Sequence, residues 1–129
     1  MSYGKKVMIV DDSNTVRYEV RLLLKKIGIT LVEVANSLGM NNAIDEYGKT
    51  VDLIIMDLTL KEENGFDLIK SIKASPNYGD IPILILTEHA NKENVLIAKE
   101  LGVSGYIRKP INKDELIDRV SKILDIQVG

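Results

Sequence analysis

The sequence predicts an α/β fold in which a five-stranded parallel sheet is covered by helices on both faces. Three observations carry that prediction. Three short segments are apolar throughout and stop abruptly at polar residues. Helical stripes separate the strand-like segments in strict alternation. The chain has 129 residues, 45% of them apolar, which is one domain's worth of chain and enough for a proper core.

The elements follow in order. Val7-Met8-Ile9-Val10 is the first apolar run, ending at Asp11-Asp12. Val16, Val20, Leu23, Leu24 and Ile27 then recur at helical spacing, and Gly28 stops the helix. Thr30-Leu31-Val32-Glu33-Val34-Ala35 is strand-like but carries a charge mid-run. Met40, Ala43, Ile44 and Tyr47 make the next stripe, before Gly48. Leu53-Ile54-Ile55-Met56 is the second continuous run, ending at Asp57. Phe66, Ile69 and Ile72 follow, with the helix ending before Pro76. Ile83-Leu84-Ile85-Leu86 is the third run, ending at Thr87. Ile97, Ala98 and Leu101 precede Gly102, and Val103-Ser104-Gly105-Tyr106-Ile107 is a short mixed strand. Leu116, Ile117, Val120, Ile123 and Leu124 close the pattern, with Asn112 and Glu115 spaced as helix cap and partner.

Continuous apolar runs suit strands buried on both faces, so strands one, three and four belong in the middle. The mixed strands two and five belong at the edges. Right-handed crossovers then leave the order 2-1-3-4-5, a doubly wound, flavodoxin-like sheet.

Composition removes whole classes of chemistry. The chain has no cysteine and one histidine, which excludes disulfides, thiolate metal sites, thiol catalysis and multi-histidine metal sites. A formal charge of −2, with one phenylalanine and no tryptophan, argues against direct nucleic-acid binding. No apolar run approaches a membrane span and no signal-peptide pattern opens the chain, so a cytoplasmic location without membrane contact is expected.

In such sheets ligands bind beyond the carboxyl ends of the strands, at the switch point between strands one and three. Strand one delivers Asp11 and Asp12 there, strand three Asp57, strand four Thr87, and strand five Lys109. Each of these motifs alone has an ordinary reading: a turn, a cap, a solvated loop. Together they place three carboxylates, a hydroxyl and an ammonium at one rim. Two like charges ~4 Å apart repel by about 4 kcal/mol at an effective dielectric near 20. A divalent cation relieves that repulsion, and oxygen-only donors favour Mg²⁺ before Ca²⁺. A free carboxylate, a lysine and a hydroxyl around such an ion suit phosphoryl transfer to the carboxylate.

The ordered set Val7-Met8-Ile9-Val10-Asp11-Asp12-Ser13, Arg17, Leu53-Ile54-Ile55-Met56-Asp57, Gly65, Ile83-Leu84-Ile85-Leu86-Thr87 and Gly102 to Pro110 resembles a response-regulator receiver domain of the single-domain chemotaxis type. The resemblance covers essentially the whole chain, read as a single domain over 1–129. It implies that Asp57 is the phosphoacceptor of a two-component system. It implies that Asp12 and Asp57 ligate Mg²⁺ directly, Asp11 mostly through water, and Thr59 through its backbone carbonyl. Lys109 would pair with the phosphoryl group, before a cis Lys109-Pro110 bond. Thr87 and Tyr106 would form the switch pair, Tyr106 swinging inward behind Thr87. The donor would be a sensor histidine kinase or a small acyl phosphate. A target protein would dock on the face made by helix four, strand five and helix five, where Leu96 falls off the apolar stripe. The chain would be a monomer or weak dimer, a self-modifying switch rather than a turnover enzyme, and would carry no effector domain of its own unless it is cut from a larger regulator.

Some positions depart from the family pattern. Lys61 stands where proline is usual, so a looser or differently shaped loop after Asp57 is expected. Glu88 stands where a small residue is typical and is expected to face solvent. His89 and Thr59 occupy positions that tune phosphoryl lifetime in the family. Gly65 reads as a turn glycine. Three other readings compete. A haloacid-dehalogenase-type phosphatase needs an acid two residues past its nucleophile, where this chain has Thr59. A receiver-like protein-binding module that works without phosphorylation usually lacks part of the acid–hydroxyl–lysine set, which is intact here. A flavin-binding version of the fold needs a phosphate-cradling loop after strand one, where this chain places acids.

Overall fold

The structure, a computed structural model, describes residues 4–127; the ends of the expected 1–129 domain lie outside them. Five strands and five helices alternate: β1 (Lys6–Val10), α1 (Asn14–Lys26), β2 (Thr30–Val34), α2 (Ser37–Tyr47), β3 (Leu53–Met56), α3 (Gly65–Ala74), β4 (Ile83–Thr87), α4 (Lys92–Glu100), β5 (Gly105–Arg108) and α5 (Lys113–Leu124). The sheet order is β2-β1-β3-β4-β5, and every pairing is parallel. The order and the identity of the edge strands agree with the expectation. The physical signal was burial: β1, β3 and β4 are almost wholly buried, whereas β2 is half-buried along its length.

Alternation along the three central strands splits the core into two layers. Val7, Ile9, Leu53, Ile55, Leu84 and Leu86 face α1 and α5. Met8, Val10, Ile54, Met56, Ile83 and Ile85 face α2, α3 and α4. Each such side chain contributes about 1.5–3 kcal/mol on leaving water.

The helices start at side-chain caps. Ser13, Asn36, Asn64, Asn91 and Asn112 each accept a hydrogen bond from a backbone N–H in the first turn of α1 to α5 respectively. Gly28 and Gly102 follow the ends of α1 and α4 with φ of +75° and +74°, a left-handed conformation that stops a helix at little steric cost. The helices are not equally buried. Of the α4 stripe expected from sequence, only Ala98 is fully buried; Ile97 and Leu101 are half-buried.

Candidate functional site

The sheet's hydrogen-bond ladder runs one residue past the strands and fixes the backbone of the site. The Asp11 N–H donates to Val34 O at 3.0 Å, the Asp57 N–H to Val10 O at 3.0 Å, and the Lys109 N–H to Thr87 O at 2.8 Å. Residues far apart in sequence are thereby held at one rim by the same bonds that make the sheet.

Asp11 and Asp57 are buried and Asp12 is half-buried. The three can each offer a carboxylate oxygen such that all these atoms lie within 4.8 Å of one another. They line a cleft of about 170 Å³ together with Ser13, Val16, Thr59, Glu88, His89 and Lys109. Lys109 Nζ sits 2.8 Å from Asp11 Oδ2 and 3.4 Å from Asp57 Oδ2. Burial works against the Lys109 charge, but the two carboxylates outweigh it and hold the ammonium above its ordinary range. The Asp57 pKa is raised too, which for an acid disfavours the charged form. Burial, aided by the charge of Asp11, raises its pKa, against the opposing Thr59 N–H and Lys109. One lysine therefore leaves the acid cluster undercompensated. Oxygen-only donors with surplus negative charge fit a hard divalent cation. The Lys109-Pro110 peptide is cis, as expected.

Thr87 is fully buried at the end of β4, and its Oγ1 accepts a hydrogen bond from the His89 N–H at 3.2 Å. The His89 carbonyl accepts from Tyr106 Oη at 2.6 Å and from Asn94 Nδ2 at 3.0 Å. The His89 backbone thus ties together the ends of β4, the middle of β5 and the first turn of α4. The Tyr106 ring is half-buried against the α2–α4 layer, and burial raises its pKa. Asn94 belongs to this cluster and was not anticipated; helical periodicity ranks polar first-turn residues as solvated.

Comparison with known proteins adds the family. Residues 7–121 match the response regulator receiver domain. The chain belongs to the response-regulator receiver family. The chemotaxis protein CheY-3 of Vibrio cholerae is 31% identical over 97% of this chain and 95% of its own length. The chemotaxis protein CheY of Pseudomonas aeruginosa is 28% identical over 93% of this chain and 96% of its own. Among solved structures, Vibrio cholerae CheY4 superposes with a TM-score of 0.85 at 28% identity, covering 93% of this chain and 98% of that one. A putative response regulator from Chloroflexus aurantiacus superposes with a TM-score of 0.85 at 29% identity, covering 94% and 98%. Receiver domains are switch modules of two-component signalling rather than turnover enzymes, and they bind Mg²⁺ at an acidic pocket. The cluster of Asp11, Asp12 and Asp57 is such a pocket in its donor chemistry.

Within this receiver domain the loop after Asp57 is not the looser of the two expected forms. It is tied rather than loose. Thr59 and Asn64 pair across it, the Lys61 N–H donates to Asp12 Oδ2 at 2.8 Å, and Glu63 Oε1 accepts from the Ser37 N–H at 2.8 Å. A residue other than proline at position 61 supplies the N–H for the second tie. Gly65 is a packing glycine, not a turn glycine. A Cβ there would lie 2.3 Å from Asp57 O and 2.7 Å from Leu58 Cα, so α3 can start against the end of β3 only without a side chain. Glu88 and His89 are exposed at the mouth of the cleft. Arg17, which matched the family pattern without an assigned role, donates to Asp11 O and Asn14 Oδ1 and sits 3.5 Å from Glu33. It braces the turn that carries Asp11 and Asp12 against β2.

Proposed function

We propose that this receiver domain is switched by phosphorylation of Asp57 in a Mg²⁺-dependent reaction. The observation that carries this reading is the placement of Asp57: buried, beside Asp11, and 3.4 Å from the Lys109 ammonium. An Asp57 carboxylate oxygen attacks the donor's phosphorus, and the bond from phosphorus to the donor breaks. The electron pair leaves with the donor, on the imidazole nitrogen of a sensor histidine kinase or on the carboxylate oxygen released from an acyl phosphate. Asp12 and Asp57 would hold Mg²⁺ directly, Asp11 through water, and the Thr59 carbonyl would complete the protein ligands. The cation's contribution when bound is charge neutralisation at the phosphoryl oxygens. Lys109 neutralises another part of that charge and orients the group.

The acyl phosphate adds charge and acceptor oxygens at the rim. Thr87 then has an oxyanion to donate to instead of serving only as acceptor for the His89 N–H. Giving up that tie frees the His89 backbone, and with it Tyr106 and the first turn of α4. The reshaped α4–β5–α5 face, where Leu96 is 51% exposed, would engage the target protein. Thr59, Glu88 and His89 at the mouth of the cleft would set the phosphoryl lifetime. A cytoplasmic location belongs to the same proposal.

Incubation with acetyl phosphate and Mg²⁺, followed by intact-mass measurement, tests this. A phosphoryl mass gain is expected that hydroxylamine removes, that chelation prevents, and that Asp57→Asn lacks. An undiminished gain in that variant overturns the assignment.

A further inference from the structure

Each of the three carboxylates accepts one backbone N–H. The Ser13 N–H donates to Asp11 Oδ1 at 2.8 Å and the Thr59 N–H to Asp57 Oδ1 at 3.1 Å, each two residues along the chain. Those two are local turns that any such Asp can form. The third is not local: the Lys61 N–H reaches Asp12 Oδ2 at 2.8 Å across 49 positions of sequence. Asp12 needs that bond most. It is the half-buried member of the three, and Lys109 bonds Asp11 and Asp57 instead. Among the described residues the Lys61 N–H is the hydrogen bond that restrains the Asp12 side chain.

We propose that the Lys61 backbone amide is a positioning donor that holds one oxygen of Asp12 and so presents the other to the divalent cation. This rests on the reading of the site given above. The donor is itself well held. Leu60 is buried beside it, Thr59 and Asn64 pair across the loop, and Glu63 fixes the loop to the start of α2. A carboxylate fixed before the cation arrives has less rotamer freedom to lose on binding. The N–H also offsets part of the acid cluster's repulsion while the cation is away. Proline at position 61 cannot do either, because it has no N–H.

The test is a Mg²⁺ titration of the full chain, followed by amide NMR well below the melting transition, for wild type, Lys61→Ala and Lys61→Pro. Alanine and proline both remove the ammonium; only proline removes the N–H. Lys61→Ala is expected to bind Mg²⁺ at least as tightly as wild type, and Lys61→Pro about tenfold more weakly than Lys61→Ala, the scale of lost outer-sphere partners. In wild type the residue 61 amide is expected to stay protected from exchange at Mg²⁺ saturation. Equal affinities for the two variants, or loss of that protection on saturation, overturn the proposal while leaving the cation site standing. Wild type that binds no Mg²⁺ overturns both. Should Lys61→Pro fail to fold, an amide-to-ester replacement at position 61 removes the same donor and is held to the same tenfold expectation.

Discussion

Helices α3 and α4 lie on the same face of the sheet, and each follows a strand whose end carries a site residue, Asp57 just past β3 and Thr87 as the last residue of β4. They are held very differently. α3 buries Gly65, Phe66, Ile69 and Ile72, and its first residue is packed against the backbone of Asp57 and Leu58. α4 buries Ala98 alone and is joined to the site through the polar ties of His89. Apolar packing resists displacement, whereas a few part-exposed hydrogen bonds exchange readily with water or with a new charge. The acid-bearing end of the sheet is therefore the more firmly packed, and the hydroxyl-bearing end is followed by the helix with the least apolar burial. A switch needs both: a fixed seat for the incoming group and an element only a few kcal/mol from an alternative position.

The harshest way to break this contrast is Gly65→Ala. The added methyl meets backbone atoms, which cannot rotate away, so a loss of about 4 kcal/mol is expected, above the usual overpacking range. Urea denaturation measures it. A loss below 1 kcal/mol would mean that α3 can slide and is not the fixed partner. Next in size is the pair Ile69→Ala and Leu96→Ala. Ile69 is fully buried, and its truncation is expected to cost about 3 kcal/mol. Leu96 is 51% exposed, and its truncation is expected to cost less than about 0.5 kcal/mol. Comparable losses at the two positions would erase the difference between the helices.

Much of this was legible in the sequence, for a definable reason. Val7 to Val10, Leu53 to Met56 and Ile83 to Leu86 are uninterrupted apolar runs, and only strands buried on both faces need that composition. Their first polar residues mark the rim, so Asp11, Asp12, Asp57 and Thr87 could be placed together before any coordinates. What stayed hidden has no side-chain signature. The Lys61 contact uses a backbone N–H, and the sequence showed only an unexpected residue there. Gly65 looks the same in sequence whether it turns the chain or lets two backbones approach. Asn94 sits at an ordinary polar position of an amphipathic helix, and only the fold reveals that its amide meets the His89 carbonyl.

Asp57→Asn addresses the electrostatics of the fixed side. Burial and the neighbouring Asp11 raise the Asp57 pKa above its ordinary 3.8, so the folded protein binds that proton more tightly than the unfolded chain. Stability therefore falls as pH rises from the unfolded value through the raised folded value, and the cost of the buried charge is complete above it. Removing the charge is expected to stabilise the metal-free protein by about 1 kcal/mol at neutral pH. The gain should vanish below pH 3.8, where Asp57 is protonated in both states. Thermal melts across pH in chelating buffer check this. Adding Mg²⁺ should stabilise wild type and do much less for the variant. A gain that persists unchanged in acid would assign the effect to packing rather than ionisation.

A single-hydroxyl deletion with a small expected effect is the sharpest probe of the α4 side. Tyr106→Phe keeps the ring and deletes the hydroxyl that meets the His89 carbonyl at 2.6 Å. That carbonyl retains Asn94 Nδ2 at 3.0 Å, so it is not orphaned, and the global loss is expected to be about 0.5 kcal/mol. The local consequence differs. With one of two ties gone, α4 is anchored to the site through its own first turn alone. Amide exchange over residues 89–95 should quicken severalfold, while α3 amides, held by apolar packing, keep their wild-type rates. Because the global change is so small, whole-molecule unfolding cannot produce that pattern; only independent release of α4 can. Equal acceleration in the two helices would show that they open as one unit, and the division of labour between the still end and the moving end would fail.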